Sequence, residues 1–281
     1  MNVALNREEQ KIAKKYYFND TWIYIFWGIG NFLIWLSLWP LAFLSILPLW
    51  LIFIIATLNC CLAYLPSHEA QHGNIIKRGT RFFWVNELVG YLSVLPLLTG
   101  YKLLKETHML HHKYTNVPEK DPDIGTKSSG FFHSLWVCGV KLRQPNAGYG
   151  LQSNFYRENI SSRAFKEHLI FFWFHWILLA FLCLSGHGLI VIAIWWLPRL
   201  IGTAYLQITL SFLPHKPMEK VGRYRDTRGW KASTGTILTQ GMEYHIIHHL
   251  YPSIPLHKTP SAYRDMRHIL EEKNCVLDGG I

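Results

Sequence analysis

The sequence predicts an all-α integral membrane protein: four transmembrane helices in two hairpins, topped by a helical cap on the cytosolic side. Three observations carry that prediction. First, only 16% of the 281 residues are charged while 50% are hydrophobic, with 12 Trp, 14 Tyr and 16 Phe. A soluble domain carries about a quarter charged residues, so this chain keeps much of its surface in lipid. Second, long uncharged stretches occur in pairs, one pair in each half of the chain. Third, Lys and Arg are almost excluded from those stretches. The composition excludes a disordered chain and a coiled coil, and apolar segments in both halves argue for a single membrane-bound domain over 1–281.

Residues 1–20 are charged and contain no apolar run, so the sequence reads as having no cleavable signal peptide and a cytosolic N-terminus. A bilayer core takes about 20 apolar residues per helix. Residues 21–43 meet this requirement, interrupted only by Pro40, and 45–65 follow after a connection of a residue or two; the two form a tight hairpin. Residues 82–98 are apolar too, but Asn86 and Glu87 interrupt them and Pro96 and Gly100 mark their end, which reads as an interfacial or re-entrant helix. A full span there would put the motifs described below on opposite sides of the membrane. The second hairpin is formed by 169–185 and 189–213, separated by Gly186, His187 and Gly188. The cap is then built from about 67–166 and 214–281.

With four spans, the segments outside them share one side. Residues 1–20, 67–166 and 214–281 hold 27 of the 28 Lys and Arg, and a basic excess marks cytoplasmic loops. The net charge of +10 therefore concentrates on a cytosolic face suited to anionic headgroups or an acidic protein partner. Nucleic acid is excluded, since no DNA- or RNA-binding pattern accompanies the basic residues. Arg199 is the exception, inside the fourth span, where it snorkels or packs in preference to meeting a polar substrate group. The five cysteines show no CxxC and read as small buried hydrophobes.

Nine of the 15 histidines gather in four places: His68 and His72, His108 with His111 and His112, His215 alone after the fourth span, and His245 with His248 and His249. Residues three or four apart share a helix face, so each group points one way. Neutral imidazole binds iron, zinc, copper or nickel. A zinc ion takes four ligands and a catalytic one only three from protein, so nine imidazoles suit two metal ions. Nearby carboxylates that could orient the rings are Glu69, Glu106, Asp121, Asp123 and Glu243. His133, His168, His175, His187, His257 and His268 stand alone and read as packed or solvated residues.

An HxxxH, an HxxHH, a further His after the last span and a second HxxHH, over two membrane hairpins, resemble the membrane-bound fatty acid desaturase and hydroxylase superfamily. The resemblance covers about residues 20–270. Within it, HMLHHKYTNVPEKDPD from His108, LPHKP from Leu213 and GMEYHIIHHLYPSIP from Gly241 look like the bacterial β-carotene hydroxylase branch. The resemblance implies two iron ions held by His68, His72, His108, His111, His112, His215, His245, His248 and His249. It also implies O2 as co-substrate and removal of hydrogen from a C–H bond of a membrane lipid, an acyl chain or a carotenoid. Some relatives add a water-mediated ligand one turn before the lone His; Ser211 stands there and is not assigned that role. Electrons must come from a separate ferredoxin or cytochrome-type donor, because 281 residues hold no such segment. A narrow apolar tunnel between cap and spans is expected, with Trp84, Trp136 and Trp230 lining it or, in preference, at the membrane interface.

Two other classes compete. His68-Glu69-Ala-Gln-His72 also satisfies the HExxH of a zinc metalloprotease, with Glu69 as general base, but this leaves both HxxHH groups unexplained. A non-catalytic metal-binding or transport protein would want polar residues within the spans, which are nearly all apolar. Desaturation against hydroxylation stays open, as does the carrier of the substrate.

Overall fold

The computed structural model describes residues 3–18, 21–144, 154–231 and 236–277, and their regular structure is helical throughout, with no strand among them. Three helical segments are long and apolar enough to cross a membrane: Trp22–Phe43, Leu49–His72 and Ser162–His215. The sequence led us to expect four. The difference lies in the third segment, which takes in both stretches 169–185 and 189–213 with a kink of non-helical backbone at Gly186 between them.

That long segment is not a rod. Gly186 adopts φ +87°, a left-handed conformation that glycine enters without Cβ strain. The His175 and Trp195 rings then lie 4.7 Å apart, and those of Trp176 and Trp196 5.4 Å. In a straight helix 20 residues would separate such rings by about 30 Å, so the chain doubles back.

Helix α1 (Val3–Lys14) precedes the apolar core. Helices α2 (Trp22–Phe43) and α3 (Leu49–Leu62) are apolar on all sides and expose Phe26, Leu33, Trp50 and Leu58, as helices facing lipid do. Between them, Asn31 Nδ2 donates to the Asn59 carbonyl (3.1 Å), and Asn59 Nδ2 returns bonds to the Asn31 carbonyl and side chain (2.6 and 2.9 Å). A reciprocal amide pair contributes about 1 kcal/mol between helices in lipid.

Helix α3 continues through Ala63 into α4 (Tyr64–His72) without a breaker. The helix therefore runs on past the uncharged stretch that ends at 65, until Gly73 (φ +72°), where the Gly73 and Asn74 amides cap the Ala70 and Glu69 carbonyls. His68 and His72 thus stand on the inward extension of an apolar helix. Helix α5 (Phe83–Val94) packs on α2 and α4 and, with the turn Leu95–Leu97, is too short to span, as its interrupted sequence predicts. Helix α6 (Tyr101–Tyr114) carries the second histidine group and α7 (Phe131–Gly139) lies beside the inner end of the long segment. We label that segment's limbs α8 (Ser162–Leu182) and α9 (residues 188–215). Helices α10 (His245–Leu250) and α11 (Thr259–Glu272) complete the cap, sharing Ile246, Ile247, Met266 and Ile269 with Ile12 and Ala13 of α1.

Helices α3 and α9 touch where Gly202 meets Cys60. A Cβ at Gly202 would stand 2.6 Å from the Cys60 Cβ and 3.0 Å from its carbonyl carbon, both attached to rigid backbone. Gly202→Val is expected to destabilise the protein by about 1–3 kcal/mol, read as a lower thermal midpoint in detergent.

Candidate metal centre

All nine predicted histidines meet in one pocket at the foot of the apolar helices. Helix α4 supplies His68 and His72, α6 supplies His108, His111 and His112, the end of α9 supplies His215, and α10 supplies His245, His248 and His249. They divide in two. His68, His72, His108 and His248 bring one nitrogen each within 4.8 Å of one another, and so do His111, His215, His245 and His249. His112 Nε2 joins the first group, 3.1 Å from His108 Nε2 and 3.0 Å from His248 Nε2, while its ring stacks on His249 at 4.3 Å.

The donor set fits metal ions. His72 Nε2 and His108 Nε2 are 2.8 Å apart, and His111 Nε2 and His215 Nε2 are 3.1 Å apart. Adjacent nitrogens on one ion with bonds of about 2.0–2.1 Å stand about 3 Å apart. Both ring nitrogens of His68 and His245, with Nδ1 of His248 and Nε2 of His249, are buried without a hydrogen-bond partner. Each such orphan costs about 1–3 kcal/mol, and a bound cation removes that cost for the one nitrogen of each ring that it takes.

Groups behind the rings settle which nitrogen points inward. His111 Nδ1 donates to Asp121 Oδ1 at 2.8 Å, and Asp121 is itself held by the Asn116 and Asp123 amides at 2.7 and 2.9 Å. His215 Nδ1 donates to the Asp226 carbonyl at 3.0 Å. In both residues Nε2 is turned to the pocket, where a bound metal ion takes the place of any proton it carries. Asp123 lies 3.9 Å from His111 and accepts from Ser211 Oγ at 2.7 Å, giving that serine a partner one turn before His215. Burial and neighbouring imidazoles push His108, His112, His245, His248 and His249 below the ordinary histidine value, so they stay neutral. Burial acts the same way on His111, but Asp123 and Asp121 outweigh it and lift His111 to about 9. Asp121→Asn is expected to weaken metal retention about 10–100-fold, measured by competition with a chelator.

The remaining candidate carboxylates divide. Glu69 lies 3.5 Å from His68 Nδ1 and accepts from Asn74 at 3.1 Å. Glu243 accepts from Thr239. Glu106 is turned away, accepting from the Ser161 amide and hydroxyl at 2.7 and 2.6 Å, where it supports the start of α8. The Asp226 carbonyl was not legible in sequence, because a backbone acceptor leaves no residue-type signal.

A cavity of about 260 Å³ adjoins the centre, lined by His68, His108, His111 and His245 and also by Leu97, Leu206 and Leu210. Neither Glu69 nor Arg199 lines it. Arg199 instead lies 5.1 Å from the Trp196 ring centre, the packing role predicted for it. The lone histidines stay outside the pocket: His175 bonds the Phe171 carbonyl, His168 the Gly100 amide, His133 Ser129, His187 Ser185, His257 Tyr24 and His268 Glu8. Trp84 and Trp136 are exposed as interface residues would be, but Trp230 is buried in the core beside Met242, which corrects its predicted interfacial position.

Apolar helices ending in a pocket of convergent imidazoles define a membrane protein with a histidine-rich metal site. The chain belongs to the fatty acid desaturase family, whose model, described as Fatty acid desaturase, matches residues 44–279. It is 23% identical to a fatty acid conjugase of Calendula officinalis over 74% of this chain and 64% of that protein. It is 23% identical to an sn-1 oleoyl-lipid 12-desaturase of Picosynechococcus sp. over 73% of this chain and 65% of the relative. Identity reaches 29% with the dihydrorhizobitoxine desaturase of Bradyrhizobium elkanii, over 68% of this chain and 61% of that one. The matches thus span just under two thirds of the relatives' own lengths.

Proposed function

We propose that this protein is an O2-dependent oxidoreductase that removes hydrogen from a C–H bond of a lipid acyl chain, using two iron ions held by the nine histidines. The observation that carries this reading is the convergence of the nine in two groups with inward-facing nitrogens. Iron at these positions supplies the redox chemistry that an unactivated C–H bond requires and that zinc lacks. The names of the relatives favour an acyl chain over a carotenoid.

The protein's own groups prepare the site. Asp121 and the Asp226 carbonyl take the Nδ1 protons of His111 and His215, fixing ring orientation before any ion arrives. Leu97, Leu206 and Leu210 hold the reacting segment against the imidazoles and limit water. In the membrane, the doubled-back segment supplies two spans and the full arrangement is four spans in two hairpins over a single domain. The basic segments place both termini and the cap in the cytosol, where a ferredoxin or cytochrome-type donor docks on the positive face.

The test is metal content of the purified protein in mild detergent, followed by acyl-chain analysis of membranes from cells expressing it. Two irons per chain with new double bonds or hydroxyl groups are expected. One zinc and no iron in a folded, loaded sample overturns the proposal.

A further inference from the structure

Arg143 is a half-buried cation beside the histidine pocket with no ion pair to neutralise it among the described residues. It follows α7, in the short turn Lys141–Arg143, outside the apolar spans. Its Nη2 donates to Gln207 Oε1 at 2.7 Å, a neutral partner, while its Nε is buried without a hydrogen bond. It makes no ion pair among the described residues. Asp123 lines the same cavity, but Ser211 and the His111 side of the centre engage it. A guanidinium whose Nε is buried without an acceptor is left short of a partner, and the group best matched to its flat fork of donors is a carboxylate.

Arg143 and Gln207 line the cavity that also meets His68, His108, His111 and His245, so an anion bound by Arg143 shares one small chamber with the centre. Its volume of about 260 Å³ falls below the ~300–1,000 Å³ of pockets that enclose drug-sized ligands. A long acyl chain does not fit inside together with its headgroup. Thr99, Thr107, Thr126 and Thr203 also line it, their hydroxyls donating to backbone carbonyls, so Arg143 and Gln207 are the polar groups left to meet a substrate on that side.

We propose that Arg143, steadied by Gln207, receives a free carboxylate of the substrate inside this cavity, so that the molecule is oxidised within a few bonds of its carboxyl group. The inference rests on the reading above that the substrate meets the metal centre in this cavity. It makes Arg143 a specificity-determining residue: carboxylic acids are selected over esters, alcohols and phospholipids.

The test uses the metal-loaded protein in mild detergent without an electron donor, so that binding is read without turnover. The probes are octanoate, octan-1-ol and dioctanoyl phosphatidylglycerol, their dissociation constants measured by calorimetry. Octanoate is expected to bind at least about ten-fold tighter than octan-1-ol. Arg143→Ala should erase that preference with octan-1-ol binding and metal content unchanged, and Arg143→Lys should keep part of it. If Arg143→Ala does not fold, Gln207→Leu serves instead, weakening octanoate several-fold. Equal binding of acid and alcohol by the unaltered protein overturns the inference, and so does Arg143-dependent binding of phosphatidylglycerol in preference to octanoate, which would make the anion a headgroup phosphate. Two irons with no acid preference sinks this inference alone, whereas an Arg143-dependent preference in a protein without iron sinks the di-iron reading alone.

Discussion

Replacing His108 or His248 with Ala lowers turnover by about a thousand-fold or more and removes metal from the purified protein, while the chain still inserts into membranes. Both residues belong to the first imidazole group, and His112 Nε2 lies within 3.1 Å of each. Losing either ring opens a gap that no neighbouring side chain fills, since the carboxylates nearest the pocket are committed to His111, Ser211, Asn74 or Thr239. Insertion depends on the apolar faces of α2, α3, α8 and α9, which neither residue touches. Metal analysis beside a turnover assay checks the expectation, with His175→Ala as control: His175 bonds the Phe171 carbonyl and leaves both groups intact. Full activity in several single variants of the nine would remove them as ligands.

Glu9→Ala carries the largest expected loss of stability, about 3–5 kcal/mol. Glu9 is 1% exposed and forms an ion pair with the buried Lys273, accepts from Tyr251 at 2.8 Å and Tyr224 at 3.2 Å, and faces Arg223 at 3.8 Å. Removing it strands the Lys273 ammonium, 3% exposed, in the seam between α1 and α11. The readout is the thermal midpoint together with protease cleavage after Lys11 or Lys14, which should accelerate as α1 detaches. Glu9→Ala with Lys273→Met should recover part of the loss, because an empty apolar seam costs less than a lone charge. A midpoint unchanged in Glu9→Ala would mean that α1 contributes nothing to the cap.

The charged opening segment shows how far sequence reading reaches. Residues 1–20 declare themselves polar and helix-compatible, but nothing in MNVALNREEQ states that Glu9 will be buried against a lysine more than 260 residues away. The same holds for Asp121. Its place near the second histidine group marks it as a candidate, yet Glu106 is closer to His108 in sequence and faces the other way, because the side of α6 it occupies is fixed by packing on α8. The stretches 169–185 and 189–213 are legible as two apolar runs, whereas the doubling back between them rests on the left-handed backbone of Gly186, which hydropathy registers only as a polar gap.

What the sequence determined by itself was whatever depends on residue type and short spacing: apolar runs that demand lipid, histidines spaced to share a helix face, and basic residues kept out of the spans. These are local constraints, set by helix geometry and transfer free energy. Only the tertiary structure decided how α4, α6, α9 and α10 bring nine rings into two groups, and which carboxylate stands behind which ring. It also left Arg143 half-buried with no ion pair among the described residues. Those outcomes depend on contacts between residues far apart in the chain, set by how the helices pack rather than by any pattern within one of them.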